Sequence, residues 1–503
     1  MPAISQERAP RWSRRTAAFC ACFIGALLCG CTVGPNYHRP SVEVPSSFKE
    51  APPAGWKAAT PNDAIAKGNW WEVFGDPKLN ELESQAMVNN PPLQAAMARV
   101  AQARAQFRIT RADLYPTVTL DPSALRTRYS GTRENPPGFV TTPYTDNTFN
   151  LPVDLNYEID LWGRVRRATE SARAQYQATE ADYENILLTL KSDIAQNYLS
   201  LRYVDTDREI LKGNIDLLEK ALKLTQARHS GGVASGLDVS EAETLLATIQ
   251  AQFVGLGVQR AQFEHALALL VGKSASEFTV PENPLVLEPP QIPVGLPSDL
   301  LERRPDIAES ERLMASANAQ IGVARAAFFP SLSLTGTSVG YQTDNIAQLF
   351  NLSSAVWAAM AGASQPLFEG GRLTANLARA RAAYDENVAN YREQVLTGFK
   401  EVEDGLAGLR VLEDQEATQN RAVVAARKTA EISTARYKEG LANYLEVIDA
   451  QRTVLDNEVL SAQLREYRLL TTVQLIKALG GGWQDFKVHA QMQPVAPVAN
   501  NSH

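Results

Sequence analysis

The chain has 503 residues, 45% hydrophobic and 21% charged, and its 49 Lys+Arg against 56 Asp+Glu give a formal charge of −7. That is too long for one ordinary core and too apolar for disorder, and the mild acidity argues against a nucleic-acid binder, which needs a basic face for phosphates. The four cysteines (Cys20, Cys22, Cys29, Cys31) all lie in the first 31 residues, and the five histidines (His38, His229, His265, His489, His503) are scattered. A disulfide scaffold, a zinc ribbon and a thiol catalyst are thereby excluded from the rest of the chain, and a His-built metal site is disfavoured.

Arg8, Arg11, Arg14 and Arg15 precede the apolar or small stretch Thr16–Leu28, the pattern of a secretory signal too short to span a bilayer. It ends in Leu28-Cys29-Gly30-Cys31, similar to the bacterial lipobox in which a cysteine receives lipid, here Cys31. Cleavage there takes the mature chain to −10 and removes every other cysteine. Thr32 follows, where an Asp would favour retention at the inner membrane; its absence suits export to the outer one. No run of 18 apolar residues occurs after residue 31, so any further span must use strands.

A direct tandem repeat organises the remainder. Arg111-Ala-Asp-Leu-Tyr-Pro116-Thr-Val-Thr-Leu120 returns as Arg325-Ala-Ala-Phe-Phe-Pro330-Ser-Leu-Ser-Leu334 at an offset of 214. Beyond that the offset is 208: Gly163-Arg164 matches Gly371-Arg372, Tyr183 matches Tyr391, Arg228 matches Arg436, Gly232 matches Gly440, Leu237-Asp238-Val239 matches Leu445-Glu446-Val447, and Gly272 matches Gly480. The expected organisation is a signal over 1–30, a Pro-rich segment over 31–78, a first copy over 79–272, a linker over 273–297, a second copy over 298–480 and a tail over 481–503.

Each copy reads as helix, two strands, long helix, helix. Residues 153–280 and 367–493 contain no proline and are rich in Ala, Leu, Glu, Gln and Arg. Tyr176, Tyr183, Leu187, Leu190, Ile194 and Tyr198 recur at seam spacing, and glycine breaks the helices at Ser230-Gly231-Gly232 and Glu439-Gly440. The spacing predicts a long helix over Leu161–Arg228, ~100 Å at ~1.5 Å per residue, flanked by helices over 81–113 and 238–271 stacked end to end beside it. Rods of that length build a fibre, a stalk or a wall. Between them, every odd position from Phe149 to Leu161 is apolar and every even one is polar or Pro152, which suits a strand between lipid and water. Pro152 is expected to mark a bulge or the strand start. In the second copy Leu332, Leu334, Val339 and Tyr341 shift parity near Gly336, predicting a bulge, with a weaker partner strand around Val356–Leu367. Four strands per chain cannot close a barrel, for which about eight are needed, so the chain must oligomerise or have its strands capped.

The segments Gly30-Cys31-Thr-Val-Gly-Pro-Asn-Tyr37-His-Arg-Pro40, Trp71-Glu-Val-Phe74-Gly-Asp-Pro77-Lys-Leu79, Leu296-Pro-Ser-Asp-Leu-Leu-Glu-Arg-Arg-Pro-Asp-Ile307 and Lys477-Ala-Leu-Gly-Gly-Gly-Trp483 together resemble the outer membrane factor family of TolC-like efflux channels, in its NodT-type lipoprotein branch. The resemblance covers essentially the whole mature chain. It implies a mainly helical fold with a β-barrel part: a homotrimer joining an outer-membrane barrel of 12 strands to a periplasmic α-helical barrel, without catalytic residues, metal or cofactor beyond the lipid on Cys31. It also implies a periplasmic adaptor and an inner-membrane RND-type transporter as partners, with passive outward transport of drugs or other small molecules. By motif position Leu445 is the apolar constriction of a periplasmic gate, Asp449 an acidic ring and Arg452 its charge partner. Asp238 and Tyr437 match ties between neighbouring helices, and Glu446 a possible second acidic ring.

Spacing alone puts Leu445, Asp449 and Arg452 on one helix face, where an ordinary solvated face is the simpler reading; the motif position reverses that order. Glu241/Glu243 and Glu401/Glu403 lie within long helices and read as solvated or interhelical charges. Trp56, Trp70 and Trp71 read as a packed periplasmic collar rather than a membrane belt. No Walker loop, G-x-S-x-G or H-E-x-x-H occurs. The rival of another class is a lipid-anchored periplasmic coiled-coil stalk or adaptor without a pore.

Overall fold

A computed structural model describes residues 32–41, 45, 47–50, 69–131, 142–285, 287–290 and 303–481. Cys31, the leader and Trp56 lie outside the described residues, as do residues 286 and 291–297 of the linker. In chain order the helices are α1 (Pro77–Asn89), α2 (Pro91–Ala112), α3 (Arg164–Ser230), α4 (Gly236–Leu270), α5 (Pro305–Ala326), α6 (Arg372–Lys438) and α7 (Tyr444–Ala478). The strands are β1 (Thr117–Leu120), β2 (Ser123–Tyr129), β3 (Tyr144–Ile159), β4 (Ser331–Thr343), β5 (Ala355–Ala358) and β6 (Ala361–Ser364). The duplication shows in element length: α2 and α5 have 22 residues each, α3 and α6 have 67, and α4 and α7 have 35. The leading helix read over 81–113 is two helices. Pro91 starts the second without an N–H to donate, and Asn90 caps it by accepting from the Leu93 amide at 2.9 Å.

The chain forms two compact units that each draw on both copies. One comprises Met1–Pro40, Val100–Thr179 and Ser310–Asn390; the other comprises Ser41–Arg99, Glu180–Glu309 and Tyr391–His503.

The first unit holds the sheet. β1 and β2 both pair antiparallel with β3, β3 with β4, and β4 with both β5 and β6, so six segments occupy four strand positions. One row across them reads Leu120, Val153, Val339, Trp357; the next reads Thr119, Asp154, Ser338, Ala358. Side chains alternate between faces, so one face is apolar and the other carries the acids. The apolar row is solvent-exposed in the single chain, Trp357 by 80%. Pro152 neither starts the strand nor marks a bulge. It lies mid-strand beside the gap between β1 and β2, where a missing ladder donor costs least. The bulge falls where the parity shift placed it: one residue of β3 between Leu155 and Tyr157 faces two of β4 between Leu334 and Thr337.

The segment after residue 31 is tied to the helices of this unit. Val33 donates its amide to the Trp162 carbonyl (3.0 Å), and Asn36 accepts from Arg167 (2.7 Å). The Tyr37 hydroxyl donates to Glu311 (2.5 Å). Gly34 has φ +111, and a Cβ there would come within 2.6 Å of the Gly322 Cα, so only glycine allows the approach.

In the second unit the short helices do meet end to end. The Asn90 side-chain Nδ2 donates to the Leu270 carbonyl at 2.8 Å, joining the start of α2 to the end of α4. The second copy repeats the joint with a different residue: Arg304 donates to the Ala478 carbonyl at 3.0 Å, joining α5 to α7. Gly272 and Gly480, both at positive φ, lie against the backbone of Asn89 and Arg303 at the same two joints. Trp70 and Trp71 are buried there with Phe74, Leu79, Ile194, Tyr198 and Leu267, so they belong to a packed core.

Candidate gate at the helix turns

Two helical turns of the second unit carry the residues singled out from sequence. α3 ends in a left-handed Gly232 and α6 in a left-handed Gly440. The closing bonds match one for one: Gly232 N to His229 O (2.9 Å) and Val233 N to Arg228 O (2.8 Å) against Gly440 N to Tyr437 O (3.0 Å) and Leu441 N to Arg436 O (2.8 Å). The next helix starts on a capping side chain in each case. Ser235 accepts from the Asp238 amide and Asn443 from the Glu446 amide, at 3.2 Å and 3.0 Å.

Beneath the turns Leu211, Leu218, Leu245, Ile249, Tyr444, Val447, Ile448 and Leu455 form one apolar cluster from α3, α4 and α7. Burial takes Tyr444, Val447 and Ile448 inward and leaves Leu445, Glu446, Asp449 and Arg452 on the exposed face of α7. Leu445 is 50% exposed, and its counterpart Leu237 is 65% exposed. The first copy offers Leu237 and Glu241 at the equivalent places, but Thr244 where the second has Arg452.

Among the described residues neither the Asp449 carboxylate nor the Arg452 guanidinium has an ion-pair partner, so the two do not pair within the chain. Asp238 is used by its own helix: its carboxylate accepts from the Ser235 amide at 3.1 Å, completing a capping box. Glu446 lies 3.9 Å from Arg436, an exposed and weak pair. Tyr437 is buried, 5.2 Å from the ring of Tyr444, whose phenol is pushed up from its ordinary range by burial.

Arg228 was visible in the sequence only as a repeat marker, yet it holds the two turns together. Its Nη1 donates to the carbonyls of Tyr437 (3.1 Å) and Lys438 (3.3 Å), the last carbonyls of α6, and its guanidinium lies 4.7 Å from the Tyr437 ring centroid. A cation there also meets the negative end of the helix dipole. Only the distance of 209 residues between the partners hides this contact from sequence reading.

Of the helix carboxylates read as solvated or interhelical charges, three make contacts beyond their own helix. Glu401 binds Arg304 (2.6 Å), Glu403 accepts from the Lys49 and Glu50 amides (2.7 and 2.9 Å), and Glu243 accepts loosely from Gln226 (3.4 Å). Among the described residues no group of acids, histidines or cysteines could hold a metal ion, and no helix is long and apolar enough to cross a membrane.

Comparison with known proteins gives the family of the whole chain. The profile of the outer membrane efflux protein family matches residues 82–273 and again 296–481. The probable efflux pump outer membrane protein TtgC of Pseudomonas putida is 34% identical over 471 residues, covering 93% of this chain and 96% of the relative. The cation efflux system protein CusC of Escherichia coli is 32% identical over 464 residues, covering 92% and 98%. The solved outer-membrane channel OprN superposes with a TM-score of 0.83 at 30% identity, covering 90% of this chain and all of the other.

Proposed function

The chain belongs to the outer membrane efflux protein family, and from that premise we propose that it is the passive outer-membrane conduit of a tripartite efflux system, gated at the turns between α3 and α4 and between α6 and α7. Its place is the outer membrane and its work is transport rather than bond chemistry. The carrying observation is the sheet: four strand positions with one apolar, exposed face and, among the described residues, two unpaired edges. Three copies supply twelve positions, enough to close a barrel with lipid outside and the Asp154 face inside. A stalk without a pore would leave those edges and that apolar face in water.

On this reading the periplasmic rods form the wall below the barrel, contacting a periplasmic adaptor and, through the assembly, an inner-membrane RND-type transporter that supplies the energy. TtgC and CusC are named for different systems, one of them for cations. Close likeness among such conduits supports placing cargo choice in the transporter. The sequence motif makes Cys31 the lipid-bearing residue. The fold supports it, because Thr32, next in the chain, packs against Gly163 just beyond the end of β3, at the margin of the apolar face.

At the tip, threefold repetition turns Leu445 into an apolar constriction and Asp449 into an acidic ring, with Arg452 close by and Glu446 one turn nearer the entrance. Exposure of all four on one face and the lack of a partner for Asp449 support this. The test is single-channel conductance of the purified protein in planar bilayers. Asp449→Ala and Leu445→Ala should each raise conductance; unchanged conductance in both removes them from the gate.

A further inference from the structure

The two turns are alike in backbone and unlike in what holds them. Arg228 grips the end of α6 through two carbonyls and a ring. Its repeat counterpart Arg436 stays exposed, with a 3.4 Å contact to the Leu441 carbonyl and a 3.9 Å contact to Glu446, both within its own turn. At the end of α3, His229 stands where the second copy has Tyr437, and Ser230 where it has Lys438. The Ser230 carbonyl meets no donor among the described residues, whereas that of Lys438 receives Arg228.

We infer that Arg436 caps the end of α3 in a second copy of this chain, donating to the His229 and Ser230 carbonyls with its guanidinium over the His229 ring. The argument is one of repetition. The operation that carries the first copy's turn onto the second carries the second onto the first copy of the next subunit, provided the ring closes with its turns evenly spaced around the axis. Arg228 then makes the contact inside each chain and Arg436 the same contact between chains, alternating around the tip. The acceptor geometry on α3 already matches that on α6, bond for bond. No carboxylate is needed: the partners are main-chain carbonyls at a helix C-terminus, favourable to a cation by the dipole. This inference rests on ring closure as proposed above.

The experiment uses the full-length channel carrying His229→Cys with Arg436→Cys, against each single variant. After removal of the leader the only other cysteine is Cys31, whose sulfur is taken up by the lipid. A bismaleimide no longer than an arginine side chain should give covalent dimers and trimers on denaturing gels from the double variant alone. Native mass measured on the same sample separates the outcomes. Trimers without covalent multimers overturn the Arg436 contact and leave ring closure standing; monomers overturn both. Independently, Arg436→Ala should exchange the Gly232 and Val233 amides about tenfold faster in the assembled channel, and Arg436→Lys should recover part of the protection. Equal exchange in parent and Arg436→Ala also overturns the contact.

Discussion

Removing the guanidinium of Arg228 isolates one quantitative statement about the tip. Arg228→Ala deletes two hydrogen bonds from a charged donor, at 3.1 Å and 3.3 Å, and a ring contact at 4.7 Å. A charge-assisted hydrogen bond contributes about 1.5–3 kcal/mol and an exposed cation–π contact about 0.5–1 kcal/mol. Both bonds share one nitrogen, the second is long, and the side chain is only half-buried, so the sum is about 2 kcal/mol. That converts to a ~30-fold change in the local opening equilibrium. The amides of Gly440 and Leu441, which close the α6 turn, should therefore lose about 30-fold protection against hydrogen exchange, while the Asn90–Leu270 joint is unaffected. Arg228→Lys keeps a point charge without the planar fork and should recover part of the loss. Protection at Gly440 and Leu441 that stays within about threefold of the parent would refute the assignment of Arg228 as the clasp between the turns.

Other expectations concern the second unit. Asp205 accepts from Arg260 (2.8 Å), Arg202 (3.0 Å) and the Asn283 amide (3.0 Å) while almost wholly buried. Asp205→Ala strands two arginines and should cost about 3–5 kcal/mol in denaturant titration; a loss below about 1 kcal/mol would show that water replaces the carboxylate. Glu309 is pushed up to about 7, first by burial and then by Asp182 and Asp306. The folded state therefore binds more protons between the ordinary glutamate range and about pH 7, and its stability falls as pH rises through that window. Glu309→Gln should add more stability at pH 8 than at pH 5, by no more than about 1–2 kcal/mol for a half-exposed group; an equal gain at both pH values would contradict it. Three glycines of similar positive φ separate strain from clash: Gly232 has nothing near its missing Cβ, while Gly480 and Gly272 face backbone at 2.8 Å and 2.3 Å. Substitution by Ala should cost about 1–2 kcal/mol at Gly232 and more at Gly480 and Gly272, in that order, by thermal melting.

Much of the fold was legible because its determinants are local or duplicated. Gly232 and Gly440 announced the turns, the proline-free blocks the long helices, and the parity change near Gly336 the bulge. The break at Asn90–Pro91 was missed because proline in the first turn of a helix looks the same in sequence whether or not a cap precedes it. Pro152 was misplaced because its tolerance depends on a gap in the neighbouring strand. The candidate site divides differently. Spacing brought Leu445, Asp449 and Arg452 onto one face, but Arg228 and Tyr437 meet across 209 residues, and no local pattern encodes that. Asp238 matched a tie between helices, while its nearest task is to start its own.

The outermost strand positions of the sheet are each broken, at Asp121-Pro122 and at Ala359-Met360, whereas β3 and β4 run through. If the cylinder closes as proposed, every junction between subunits joins two such interrupted members, and each chain acts as a stiff stave between softer joints. Circumferential hydrogen bonding is then densest within each chain, between β3 and β4, and sparsest along the seams where interrupted members meet.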